Sequence, residues 1–380
     1  MNRTTIATLV LVSLVSFSFW IPAANAQWVV TQISENGRFV EGPEVSGNNV
    51  VWTGFGDFIG EIYHFDGNST SQLTSNSTID RYPDISGERI VWLGLDPNNT
   101  FSDIFLYDGV TTTNISNNDL ADTFPKVSED AVVWRTFDGN DDEIFYYDGT
   151  TVIQVSDNSG VDDRPQISGT NAVWSGDVGA EREVLLFDGT STVQLSTTST
   201  ANINPQISGS NVVWTGWDGT DPEIYLYDGV TTVPLTDNSL AEARPQVSGK
   251  NIVWMGSDGN DFEIFFYDET TITQITDNDY PDIEPHVSGN FVVWQGEDGN
   301  DSEIFVWDGT STTQLTDDDL DDLFPRVSGP NITWWKNDPA SREVFYATLI
   351  PEPWSMAQAV IVSIMIFSCR RRHLLAQALE

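Results

Sequence analysis

Hydrophobic residues in this chain fall in short unbroken blocks between turn-forming residues, and the blocks keep one register. Prolines mark it at Pro43, Pro83, Pro125, Pro165, Pro205, Pro245, Pro285 and Pro325, spaced by 40 residues except for one step of 42. Nine residues after each stands a tryptophan: Trp52, Trp92, Trp134, Trp174, Trp214, Trp254, Trp294 and Trp334. Blocks such as Val292-Val293-Trp294 do not alternate with polar residues, so they predict strands covered on both faces. Each unit carries four strand-prone stretches: P-x-[VI]-S, the run ending in Trp, E-I-[FY]-x-[YFW]-D, and T-x-Q-[LI]-T. Ser-Gly and Asp-Gly dipeptides lie between them and tolerate the positive φ of tight turns. Helical periodicity is absent from the repeats.

A four-stranded sheet with two apolar faces cannot bury both alone, so the units must stack on one another. The prediction is an all-β fold, an eight-bladed β-propeller of four-stranded blades over residues 27–350, with a seven-bladed ring as the alternative. The last unit runs from Glu343-Val344-Phe345-Tyr346 into Pro351 without its fourth strand. The missing strand is found at the other end, as Val29 to Ser34. The N-terminal strand should therefore complete the last blade and close the ring, which removes an exposed edge. With its opening proline, Ser-Gly turn and E-I-[FY]-x-[YFW]-D strand, the unit resembles the TolB-type propeller repeat. The resemblance implies a propeller fold and says little about partners.

The two ends read as addresses. Arg3, the apolar stretch Ile6 to Ile21 and Ala24-Asn25-Ala26 form a secretory signal peptide over residues 1–26, with a mature chain from Gln27. At the other end Pro351-Glu352-Pro353 precedes an apolar run from Trp354 to Cys369 and the cluster Arg370-Arg371-Arg372. The run could form a transmembrane helix, with the arginines holding its end in the cytoplasm. This order over residues 351–380 resembles the PEP-CTERM sorting signal. The resemblance implies an exosortase as processing partner, an inner-membrane intermediate, and delivery to the cell surface or extracellular matrix of a Gram-negative bacterium. Cys369, the single cysteine, rules out an intramolecular disulfide.

Charge narrows the partners. Residues 27–350 hold 12 Lys and Arg against 55 Asp and Glu, a net charge of −43. Such a surface repels phosphate backbones and anionic lipid, so no nucleic acid is expected, and membrane contact only through the tail. Four blades carry D-G-[NT]-D-x-E after the tryptophan strand, placing Asp138 and Asp141, Asp218 and Asp221, Asp258 and Asp261, and Asp298 and Asp301 as candidate calcium ligands. The same residues also make an ordinary hairpin turn with solvated charge, and both readings stand. Asp317 to Asp322 is expected to be a solvent-facing connection.

The register tryptophans are expected in the core, whereas Trp217 and Trp335 fall outside the pattern and are candidates for an exposed contact. Only His64 and His286 lie in the repeats, and no nucleophile elbow, H-E-x-x-H pair or cysteine nucleophile occurs there. The functional expectation is a non-catalytic exported scaffold that binds polysaccharide or an envelope protein, with no cofactor assured and calcium the one candidate. A lyase or hydrolase acting on extracellular polysaccharide is the alternative.

Overall fold

In a computed structural model, residues 26–350 are described except 36–37, 57–58, 96–100, 198–199 and 340. The described residues form 32 strands, β1 to β32 in chain order, and no helix. They make eight separate four-stranded sheets. Seven take four consecutive strands, as in β22(Glu242–Ser248), β23(Asn251–Ser257), β24(Phe262–Tyr267) and β25(Ile272–Gln274). The eighth has the order β1(Gln27–Gln32), β32(Ser341–Ile350), β31(Asn331–Asp338), β30(Asp322–Ser328), so the first strand of the chain does complete the last blade. Eight blades stand in a ring, and the seven-bladed alternative falls.

The core lies between blades. Eight apolar clusters are present, one at each junction; Val133, Ile144 and Tyr146 of the third blade meet Ala172, Trp174 and Phe187 of the fourth. The junction that closes the circle sets Ile33, Val344 and Tyr346 against Val40, Val50 and Trp52 of the first blade. All eight register tryptophans are at most 1% exposed. Most stack on the aromatic directly across on the third strand, as Trp254 does on Phe265 with ring centroids 5.9 Å apart. The Ser-Gly turns have a tertiary reason. Ser46 Oγ accepts the Gly87 N–H at 2.9 Å, and the same bond passes from blade to blade until Ser328 accepts from Gly47 at 2.9 Å.

The prolines do not open the first strands, as the sequence suggested, but sit inside them. In the sixth blade, Ala243 pairs with Met255 and Gln246 with Val253, which leaves Arg244 and Pro245 opposite Trp254. This is a β-bulge, the one interior place where a residue without an N–H costs no ladder bond. The residue before each proline takes a left-handed backbone: Gly42, Tyr82, Phe124, Arg164, Asn204, Arg244, Glu284 and Phe324, with φ between 51° and 58°.

The described propeller unit spans Trp28–Leu349. The signal peptide and the PEP-CTERM-like tail, including Pro351, Glu352, Pro353, Arg370, Arg371 and Arg372, lie outside the described residues. Among the described residues no helix is long and apolar enough to cross a membrane.

Candidate functional site: acidic turns and the channel mouth

The four acidic turns repeat one geometry. Asp138 Oδ1 accepts the N–H groups of Asn140 at 2.8 Å and Asp141 at 3.2 Å, and Gly139 between them has φ 104°, a conformation suited to glycine. The same bonds recur at Asp218, Asp258 and Asp298. The turn aims the second aspartate inward. Asp221 and Asp261 leave both carboxylate oxygens buried without a hydrogen-bond partner, and Asp141 and Asp301 leave Oδ2 so. Asp141 is only 9% exposed. Burying an anionic oxygen without a partner is costly, so these atoms call for a proton or a cation. Burial, reinforced by neighbouring carboxylates, pushes the Asp221, Asp261 and Asp301 carboxyls above the usual range.

Ligand atoms lie within 4.8 Å of one another in Asp138–Asp141–Glu143, Asp218–Asp221–Glu223, Asp258–Glu263–Asp277 and Asp298–Asp301–Glu303, and each cluster could hold a metal ion. The hairpin reading is thus correct for the backbone but incomplete for the side chains. The glutamate that ends each D-G-[NT]-D-x-E motif joins the aspartates as a ligand candidate: Glu143 stands two residues after Asp141, the spacing that returns a side chain to the same side of an extended chain. In the sixth blade the cluster takes Asp277 from a connecting loop in place of Asp261, which no local spacing could indicate.

Behind each turn lies a buried carboxylate pair. Glu143 is fully buried; it accepts from Ser156 Oγ at 2.5 Å and from the Asn158 N–H at 2.9 Å. Asn158 Nδ2 donates to Asp162 Oδ2 at 2.7 Å, and Trp174 Nε1 donates to Asp162 Oδ1 at 3.1 Å. Burial first, then the neighbouring Glu143, pushes Asp162 up to about 7. Asp282 is likewise raised to about 7 and Glu242, beside Glu223, to about 8. Asp322 corrects the expectation of a solvent-facing acidic stretch. It is fully buried, bonded by Trp334 Nε1 at 2.7 Å, and the Lys336 ammonium sits 3.2 Å away.

The residue after each proline lines the channel. Lys126 Nζ lies 3.0 Å from Asp84 and 4.0 Å from Glu44, and Arg326 Nε lies 3.4 Å from Glu44. His286 Nδ1 accepts the Val327 N–H at 3.4 Å, and burial with the nearby Arg326 and Lys126 charges holds its pKa down at about 3. His64 is half-buried and bonded to Asn49 at 3.0 Å. At the mouth the left-handed residues display their side chains: Tyr82 is 48% exposed and Phe124 45%, with ring centroids 5.8 Å apart. A side chain at a left-handed position costs about 1 kcal/mol more than glycine, and such outliers concentrate at ligand sites. These residues border a cavity of about 580 Å³. Trp217 is 45% exposed, as its irregular position suggested. Trp335 is not an open contact: it is half-buried, stacked on Phe324 at 5.5 Å with the Arg342 guanidinium 4.4 Å from its ring.

No known sequence family and no curated protein matches the chain. Among solved structures, a computationally designed protein, Ika8, aligns at 17% identity and a TM-score of 0.58, over 83% of this chain and 98% of its own. The β-propeller domain of the Trilobed protease from Pyrococcus furiosus aligns at 15% identity and a TM-score of 0.54, over 74% and 99%. A structure described as TolB of Agrobacterium tumefaciens aligns at 16% identity and a TM-score of 0.39, over 64% and 95%, a similarity too slight to bear on partner or function. At these identities the likeness concerns architecture alone, and the architecture is that of a β-propeller.

Proposed function

We propose that this chain is an exported, non-catalytic scaffold of the cell surface or exopolysaccharide matrix, which binds polysaccharide or an envelope component and loads calcium in its acidic turns. The observation that carries the binding role is the open cavity at the mouth of a closed ring, bordered by side chains kept at strained positions. Both propeller histidines are tied into structural hydrogen bonds, which supports a non-catalytic reading. In the proposal the C-terminal motif engages an exosortase and sends the propeller to the cell surface. In the producing cells, wild type is expected in the surface fraction and retained on matrix polysaccharide without cleaving it. A chain with Arg370, Arg371 and Arg372 changed to alanine is expected to stay with the inner membrane. Release of reducing ends or unsaturated sugars would instead make it an enzyme, and unchanged surface delivery of the variant would remove the sorting role.

Calcium is the cation of choice because the clusters offer only hard carboxylate oxygens, while turn carbonyls and water can complete a flexible shell. Adding calcium to chelated protein should raise the thermal midpoint, by about 2 °C or more for each kcal/mol of linked binding. Asp141→Asn, Asp221→Asn, Asp277→Asn and Asp301→Asn combined, which take one ligand from each cluster, should abolish that response; without the cation, Asp141→Asn, Asp221→Asn and Asp301→Asn should stabilise the ring by removing buried charge. A midpoint indifferent to both calcium and chelator would eliminate the cation.

A further inference from the structure

Beside the acidic turn of the fifth blade lies a second cavity, of about 570 Å³. Its walls come from three blades: Glu181 from the fourth, Ile203, Trp217 and Pro222 from the fifth, and Glu242 and Ala243 from the sixth. The repeat register shows why it exists. Five residues before the blade proline, the last three blades have Leu240, Tyr280 and Leu320, but the fifth has Thr200. One residue after the blade tryptophan they have Met255, Gln295 and Trp335, but the fifth has Thr215. Two smaller side chains leave room there. Trp217, in contrast, takes a position that those blades give to Ser257, Glu297 and Asn337. The Thr200 hydroxyl donates to the Trp217 carbonyl and ties down the strand end that presents the half-exposed indole.

We propose that this cavity binds a small organic amine, a primary ammonium group carried on an apolar body, in a role separate from the scaffold function. Charge sets the sign of the ligand. Glu181 and Glu242 are the only charged residues of the lining, and no Lys or Arg joins them. Glu181 is half-buried and makes no ion pair among the described residues. Glu242 stands beside Glu223, and that pair keeps one negative charge even while it holds a proton. Arg164 reaches the rim at Asn204, but Asp163 lies 3.8 Å from its guanidinium and offsets it. Unsatisfied buried atoms then select the kind of cation. Glu242 Oε2 and Thr215 Oγ1 are buried without a hydrogen-bond partner, in residues only 4% and 6% exposed. A buried acceptor without a donor is costly; a primary ammonium brings three N–H donors, and a quaternary one brings none. The Trp217 indole attracts a cation to its face and covers apolar surface beside it. Ile203, Pro222 and Ala243 provide the apolar wall, and the volume is that of a site for one small molecule.

The test is titration calorimetry of the full-length protein with phenethylamine, in about 0.15 M salt so that the general field of the acidic surface is screened. The amine is expected to bind at a single site, about tenfold or more tighter than phenethyl alcohol or phenethyltrimethylammonium. Thr200→Leu restores the side chain that the sixth and eighth blades carry at this position. It should fill the cavity and abolish binding, with the thermal midpoint unchanged or raised. Trp217→Ala and Glu181→Gln should each weaken binding about fivefold. Glu181→Gln keeps the shape of the side chain, so its effect reads charge and not fold. Equal affinity for amine and alcohol, tighter binding of the trimethylammonium compound, or no binding by wild type would each overturn the proposal. Binding left at wild-type strength in all three variants would show attraction to the acidic surface alone, and would overturn it as well.

Discussion

The propeller is expected to be markedly more stable at pH 5 than at pH 8, the reverse of a protein held by ionised carboxylates. The cause lies in the carboxylate pairs behind the blade junctions. Asp162 and Asp282 are raised to about 7 and Glu242 to about 8, while the same groups in an unfolded chain titrate near 4. Between pH 4 and 7 the folded protein therefore holds protons that the unfolded chain has lost. Stability supplied by a raised pKa is fully present below the unfolded value and lost as pH climbs through the folded one. A tenfold difference in proton affinity between folded and unfolded chain corresponds to about 1.4 kcal/mol, and a large domain moves by about 2 °C for each kcal/mol. A fall in midpoint of about 10 °C or more from pH 5 to pH 8, measured in chelator, is the expected outcome.

The opposite trend belongs to the turns after the third strands. Asp148 Oδ1 accepts the N–H groups of Thr150 and Thr151 at 2.7 Å each, and these bonds hold its carboxyl far below the ordinary range, as others do for Asp268, at about 2. Their contribution exists above pH 4 and is lost only in stronger acid, which places the optimum near pH 5. A scan that rises steadily from pH 5 to pH 8 would show that the buried pairs are ionised in the folded state. Asp162→Asn tests one pair: it should flatten its share of the slope, since an amide has no proton to lose.

Removing Gln27–Ser34 is expected to be the most damaging change of comparable size. The segment supplies more than a strand. The Ile33 N–H donates to Val344 O at 2.9 Å, Ser34 Oγ donates to Glu343 at 2.7 Å, and the same hydroxyl accepts the Val344 N–H at 2.8 Å. In every other blade the hydroxyl just after its own fourth strand accepts the same third-strand N–H, and in the first four it also bonds the carboxylate, as Thr74 does with Ile62 and Glu61. Without the segment, the third strand of the last blade becomes an open edge and Ile33 leaves the core cluster shared with the first blade. The truncated protein should lose about 10 °C or more in midpoint and self-associate, because an unpaired edge templates another chain. Ser34→Ala, which keeps the strand but removes the hydroxyl that bonds both Glu343 and the Val344 N–H, should cost about 1–3 kcal/mol. A truncated protein as stable and monomeric as wild type would mean that the ring does not depend on this latch.

Much of this molecule was legible along the chain. Nine-residue spacing between proline and tryptophan, unbroken apolar blocks and a surplus strand at one end led to the eight blades and their latch, because a strand's period and a blade's need for cover are local properties. The acidic turns were legible for the same reason: Asp-Gly sets its own backbone. What the chain could not state is what each repeated polar residue meets across a junction. The serine of the Ser-Gly turn looks like punctuation, yet its hydroxyl bonds the next blade 41 residues away. Asp322 looks like one member of an exposed acidic run, yet its carboxylate is buried against Trp334 and Lys336. Asp277 joins its cluster from another loop, and the mouth gathers its rings and cations from separate blades. Local periodicity determines which elements form; only closing them into a circle decides which side chains lose water together, and that loss is what turns a repeated carboxylate into a proton-holding pair or a cation ligand.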